Sequence, residues 1–194
     1  SNSHSGEMDC TLGPSDPPAV PWKNLGISPD ASIDGWGRRI RYQPADTLAR
    51  EPSDDPPLKG LKDVPSGAPC KSDQSEDQTF TEWLENRGVK VKYRGGDAFQ
   101  DPSKGTGAAF VLVSHGPNGL GGYSRSGSHI PTSGIDSYEE ENTDSDNTFF
   151  DGQRTGPDAD EVFDDIVVSI RVDRLKRAAG IHSVTPPDGS GGSG

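Results

Sequence analysis

The most apolar run of the chain is Ala108–Ser114, with the sequence AAFVLVS. It is short, follows a glycine and is rich in β-forming residues, so it predicts a buried central strand. The glycine-rich segment HGPNGLGG comes next and predicts a turn. A second apolar run, Val162–Ile170, predicts another strand. Val172–Ala179 predicts a short helix, because Asp173 lies near its start and basic residues lie toward its end.

Alternation of apolar and polar positions marks two more strands. Trp36–Tyr42 alternates after an Asp-Gly turn, and Val89–Arg94 alternates with its basic residues on one face. Ser75–Arg87 predicts a helix, since three apolar residues fall at helical spacing behind an N-cap. Prolines make the intervening stretches irregular. The whole pattern predicts an α+β fold: a small antiparallel β-sheet with short helices and long irregular loops.

Composition narrows the range of functions. The 194 residues include 25 Gly and 17 Pro, and the net charge is −12. An acidic chain without a basic stripe is a poor nucleic-acid binder, because phosphate contacts dominate that affinity. No apolar run approaches the roughly 20 residues that a membrane helix needs. We therefore expect neither nucleic acid as a partner nor a membrane span within these residues.

We expect one domain over residues 10–183, with a loop-rich insertion at about 43–107. Residues 1–9 are expected to be a disordered N-terminal segment, and residues 184–194 a flexible tail or tag remnant, since they end in GSGGSG. Cys10 and Cys70 are the two cysteines. A disulfide between them would suit an oxidising compartment and a loop-rich chain, and two unrelated thiols are the alternative.

Three stretches in order resemble the soluble heads of type IV pilin-like proteins, which include minor pilins and type II secretion pseudopilins. The first runs from PWKNLG into DGWGRRIRY, the second is AFVLVSHGPNG, and the third runs from ENT through FF to FDDIVV. In this sequence they occupy residues 21–26 with 34–42, 109–119, and 141–150 with 163–168. The resemblance covers about half of the chain, and residues 43–107 match nothing in it.

The resemblance implies a pilin-like head domain and a structural role in a pilus or pseudopilus filament, by assembly and without catalysis. It implies other pilin-like subunits as partners. It also implies an apolar N-terminal helix that anchors the full-length protein in the inner membrane before assembly, and a periplasmic or extracellular location. No such helix occurs in these residues, so we expect a head from which the helix was removed. The alternative is a secreted or surface-displayed, calcium-stabilised adhesive or binding module, with the insertion as its binding part.

The acidic stretch that follows Glu139 offers the best ligand candidates. Asp144, Asp146, Asn147 and Asp151 provide closely spaced oxygens of the kind that calcium prefers. The resembling pseudopilins carry a structural calcium in a comparable late loop, which favours calcium here. The alternative is a solvated acidic loop.

The sequence gives little support for a catalytic site. Ser114 and His115 are adjacent at a strand end, so their side chains point to opposite sides and do not form a nucleophile–base pair. His115 and His129 are too few ligands for zinc. Asp164 and Asp165 face opposite ways if they lie in a strand, so we expect one of them to hold a loop or to serve the calcium site. We predict no catalytic residues, no bound organic cofactor and no enzyme activity.

Overall fold

A computed structural model describes residues 19–45, 87–144, 146–155 and 162–178. The expected disulfide between Cys10 and Cys70 lies outside these residues. So do nearly all of the helix expected at Ser75–Arg87, the two chain ends and much of the insertion.

The described residues contain eight strands and two α-helices. The strands are β1 (Arg38–Arg39), β2 (Arg41–Pro44), β3 (Lys90–Tyr93), β4 (Ala98–Gln100), β5 (Ala108–Ser114), β6 (Tyr123–Ser124), β7 (Thr148–Asp151) and β8 (Ile166–Arg171). The helices are α1 (Ser137–Glu141) and α2 (Val172–Ala178), and short 3₁₀ turns occupy Pro29–Ser32 and Pro102–Lys104. The α+β class expected from the sequence is confirmed at this level.

The main sheet is antiparallel and has the order β2-β5-β8. β5 occupies the residues that the apolar run predicts, and it is central because it has a neighbour on both edges. Its side chains alternate between the two faces: Ala109, Val111 and Val113 are buried, whereas the residues between them keep some exposure.

A second sheet has the order β4-β3-β7, and one of its pairs differs from expectation. β3 and β7 run parallel, with Val91 opposite Phe149, whereas the sequence predicts only antiparallel pairing. Parallel neighbours need a long crossover. The chain supplies one, because it passes through β5 and α1 between Tyr93 and Thr148.

The core lies between the two sheets. It contains Val89, Val91, Ala108, Val111, Val113 and Phe149, together with Ala45. Burying a side chain of this size stabilises the fold by about 1.5–3 kcal/mol. Phe149 comes from the end of the acidic stretch, so that stretch is tied to the core at this point.

Several boundaries differ from the expected ones. The strand expected at Trp36–Tyr42 is broken at Ile40 into β1 and β2, and β1 pairs with β6 in a separate two-stranded sheet. Residues 162–165 precede β8 and do not belong to it. α1, β4, β6 and β7 lie in stretches that the sequence predicts as loops. Within the described ranges, no helix has the length and apolar character needed to cross a membrane.

Candidate functional site

A cluster of buried polar side chains lies where three parts of the chain meet. These parts are the turn after β5, helix α1 and the segment that leads into β8. Glu139, His115, Asp165 and Asn142 are each at most 2% exposed, and Asp164 is nearly as buried. Buried charged groups are rare unless they are paired, so this concentration marks the candidate site.

Glu139 comes from α1 and joins it to the segment before β8. The helix starts at the N-cap Asp136, whose side chain accepts a hydrogen bond from the backbone N–H of Tyr138. Glu139 turns inward. Its Oε1 accepts hydrogen bonds from the backbone N–H groups of Asp164 and Asp165, and its Oε2 accepts one from the Asn118 side chain at 3.3 Å.

Asp164 and Asp165 are adjacent and bind different neighbours. Asp164 Oδ2 accepts a hydrogen bond from the backbone N–H of Asn118 at 3.0 Å, so it holds the turn after β5. Asp165 Oδ1 lies 3.3 Å from Nδ1 of His115. The pair has ion-pair distance without hydrogen-bond alignment, and both atoms lack another partner, as does Asp164 Oδ1.

Asn142 lies just past α1 and has no exposed surface. Its Nδ2 donates to Asp165 Oδ2 at 2.9 Å and to the backbone carbonyl of Phe150 at 3.0 Å. Its Oδ1 accepts from the backbone N–H of Phe150 at 2.7 Å. This one side chain therefore links the end of α1, strand β7 and the carboxylate cluster.

Burial dominates the electrostatics of the cluster. The pKa of Glu139 is raised to about 7, mainly by burial and also by the charges of Asp165 and Asp164, against the hydrogen bonds that its carboxylate accepts. Burial also raises the pKa of Asp164, with the charge of Asp165 adding to the effect. One oxygen of each of Glu139, Asp164 and Asp165 lies within 4.8 Å of the others. Three carboxylate oxygens this close together can bind one proton or one small cation between them.

The structure gives Ser114 a structural partner. Its Oγ donates a hydrogen bond to Asp34 Oδ2 at 2.7 Å, whereas the neighbouring His115 is turned into the buried cluster. The remaining oxygen of Asp34 accepts from the backbone N–H groups of Trp36 and Arg38, as in a tight turn. His129 packs its ring edge-on against Tyr123, with ring centroids 5.2 Å apart.

The expected calcium ligands are divided between two places. Asp144 and Asp146 lie on an exposed loop, where their oxygens come within 4.8 Å of a Glu141 oxygen. Asn147 follows with a positive φ of 65° and leads into β7. Asp151 is at the opposite end of β7, about 10 Å along the strand at roughly 3.3 Å per residue. Exposed acidic groups often come this close without an ion, so the structural calcium stays a prediction.

Two of the cluster residues escape sequence reasoning. Glu139 belongs to an acidic run, where solvated carboxylates are the ordinary case, and Asn142 carries no motif. One local signal existed: Asp136 and Glu139 have the spacing of a capping box, in which the second residue bends back toward the helix start. Here Glu139 bonds the backbone of residues 164 and 165 instead.

The basic face expected on the strand at residues 89–94 is partly used within the fold. The Lys92 ammonium lies 4.9 Å from the centre of the Phe150 ring. Arg94 pairs with Asp136 at 3.2 Å and so supports the start of α1. Lys90 lies 3.9 Å from Asp101.

Comparison with known proteins adds no assignment, since no family model, curated protein or solved structure matches the chain. The resemblance to pilin-like heads therefore rests on the residues quoted from the sequence.

Proposed function

We propose that this domain is the head of a subunit in a type IV pilus-like or type II secretion pseudopilus filament, and that it acts by assembly. The observation that carries the proposal is an apolar face on the main sheet. The sequence motifs that resemble pilin-like heads lie on and around this sheet, and they support the same function.

The apolar face is defined by the cross-strand rows of β2, β5 and β8. Leu112 on β5 is opposite Tyr42 on one side and Val168 on the other, and Phe110 is opposite Ile170 in the next row. Cross-strand partners point to the same face of a sheet. None of the five residues is buried, and Val168 is 51% exposed.

This surface contrasts with the opposite face of the same strands. There Val111 and Val113 are fully buried against the second sheet. A sheet with an apolar row on each face needs cover on both, because contiguous exposed apolar patches mark interaction surfaces. In the proposed function, the cover is the apolar helix of the full-length subunit, which would lie along the face that Leu112 and Val168 form.

Shear fractionation of the source cells, probed with antibody to this head, tests the proposal. We expect the head in the sheared filament fraction, at the mass of a head plus an N-terminal helix. Signal confined to the membrane and periplasm would still agree with a subunit of a short pseudopilus. A soluble protein at this chain's own mass would remove the filament function.

A pair of variants in the full-length gene connects the test to the apolar face. Val168→Asp places a charge on the face, whereas Leu25→Asp changes an apolar residue that is 57% exposed and lies in a turn outside the three strands. Both isolated heads should keep their stability within about 0.5 kcal/mol, since both sites are exposed. We expect only Val168→Asp to be lost from the sheared fraction, and equal recovery of both variants would refute the assignment of the face.

A further inference from the structure

The buried cluster brings three carboxyl groups together, and their full ionisation would place three negative charges in the protein interior. Glu139, Asp164 and Asp165 are all buried, and their oxygens come within 4.8 Å of one another. Three ionised carboxylates at that spacing in a low-dielectric interior repel one another strongly, so at least one of them must take up a proton or face a cation.

The hydrogen bonds around the cluster favour a proton. Both oxygens of Glu139 already accept hydrogen bonds, and Asp164 Oδ2 and Asp165 Oδ2 accept theirs from Asn118 and Asn142. Of the carboxylate oxygens of Glu139, Asp164 and Asp165, Oδ1 of Asp164 and Oδ1 of Asp165 lack a hydrogen-bond donor. Calcium needs about six to eight oxygens. A proton needs one donor and one acceptor, and Asp164 Oδ1 is a buried acceptor without another partner.

We propose that Glu139, Asp164, Asp165 and His115 form a buried proton-holding lock, which fastens α1 to the segment before β8 and weakens as the surrounding pH rises. In this lock, the Glu139 carboxyl group keeps the proton and donates a hydrogen bond through it to the Asp164 carboxylate. His115 Nδ1 provides the second site, because it lies 3.3 Å from the otherwise unpartnered Asp165 Oδ1. The lock is built from long-range contacts, so it connects three separate stretches of the chain.

Two arginines on the neighbouring strands place positive charge beside the lock. The positive charge of Arg38 on β1 lowers the pKa of Asp164, against the effect of burial. The Arg38 guanidinium also donates hydrogen bonds to the carbonyls of Gly116 and Pro117. Arg41 on β2 acts on Asp165 and donates to the carbonyl of Asn142 at 2.6 Å. Burial lowers the pKa of Arg41 to about 10, so it stays charged at pH 8.

Other titratable groups face the lock from farther away. The Tyr123 side chain on β6 interacts electrostatically with Arg41. The N-cap Asp136 of α1 forms an ion pair with Arg94. Glu139, together with Asp164, therefore carries the pH dependence of the lock.

The direction of the pH effect follows from Glu139. Its pKa is raised from 4.5 in the unfolded chain to about 7 in the folded protein, so the folded state binds the proton more tightly. The stabilisation is fully present below pH 4.5 and is lost as the pH rises through about 7. Between pH 5 and pH 8 this group alone raises the unfolding equilibrium constant about 70-fold.

Urea unfolding of three proteins from pH 5 to pH 8, in the presence of a chelator, tests the lock. The proteins are the wild type, Glu139→Gln and the control Glu140→Gln, which neutralises the exposed neighbour of Glu139. Glutamine can accept the backbone hydrogen bonds and donate to Asp164 at every pH. We expect the wild type and the control to lose stability with rising pH, and Glu139→Gln to lack the 70-fold component. Parallel profiles for all three proteins would overturn the proposal.

Two further measurements keep the proposal testable if Glu139→Gln does not fold. In ¹³C NMR of the wild type, we expect one carboxyl carbon to titrate near pH 7, and titration of every carboxyl below about pH 5.5 would overturn the lock. Millimolar calcium at pH 8 should leave the urea midpoint unchanged in Asp144→Asn/Asp146→Asn, which removes two carboxylates of the separate exposed loop. A calcium-induced rise in that variant would overturn the proton assignment and identify the buried cluster as a cation site.

Discussion

The side chain of Asn142 is the strongest test of how the fold is joined, because one amide holds three separate groups. Replacing it in Asn142→Ala removes two hydrogen bonds to the backbone of Phe150 and one to Asp165. The position has no exposed surface, so water does not replace the lost partners. Each hydrogen bond contributes about 1 kcal/mol net, and each orphaned buried group costs about 1–3 kcal/mol. We therefore expect a loss of about 3 kcal/mol or more.

Equilibrium urea unfolding, followed by circular dichroism at pH 6, measures this loss, and the slope with urea should stay unchanged. Gln153→Ala, at an exposed position of the loop after β7, is the matched amide control and should change stability by less than about 0.5 kcal/mol. If Asn142→Ala lost no more than the control, the three hydrogen bonds would not join α1, β7 and the cluster. The reasoning from buried amide contacts would then be refuted.

Two further predictions about buried positions use the same unfolding assay. Gly116→Ala should lose roughly 2 kcal/mol more than Gly134→Ala, because both positions have a positive φ but only at Gly116 would the new Cβ collide with Asp164 Oδ1. Equal losses would refute this close approach. Phe149→Ala should lose about 3–5 kcal/mol, because Phe149 lies in the core between the sheets. A loss below about 1 kcal/mol would contradict that packing.

Local sequence pattern predicted several elements because each depends on neighbours within a few residues. The apolar run Ala108–Ser114 is β5, and the described part of the helix expected at Val172–Ala179 is α2, Val172–Ala178. Alternation at residues 89–94 predicted β3. Strand alternation and helix caps act over short distances, so the sequence carries them directly.

The acidic stretch shows where this local reasoning fails. Its polarity predicts loops, but it contains α1 and β7, and β7 forms because Phe149 and Phe150 are buried against distant strands. Tertiary burial here outweighs weak local preference. For the same reason the FDD segment, expected as strand, precedes β8 instead, because its backbone N–H groups bond Glu139.

Local sequence pattern was enough to predict the central strand, its following turn, the C-terminal helix and the acidic, loop-rich character of the chain. Long-range packing was needed to show that β3 and β7 pair in parallel, that one sheet face keeps exposed apolar residues, and that Glu139 meets Asp164 and Asp165. These contacts join residues far apart in the chain. They form because the burial that they allow outweighs the entropy of closing long loops, a balance that no short window of sequence contains.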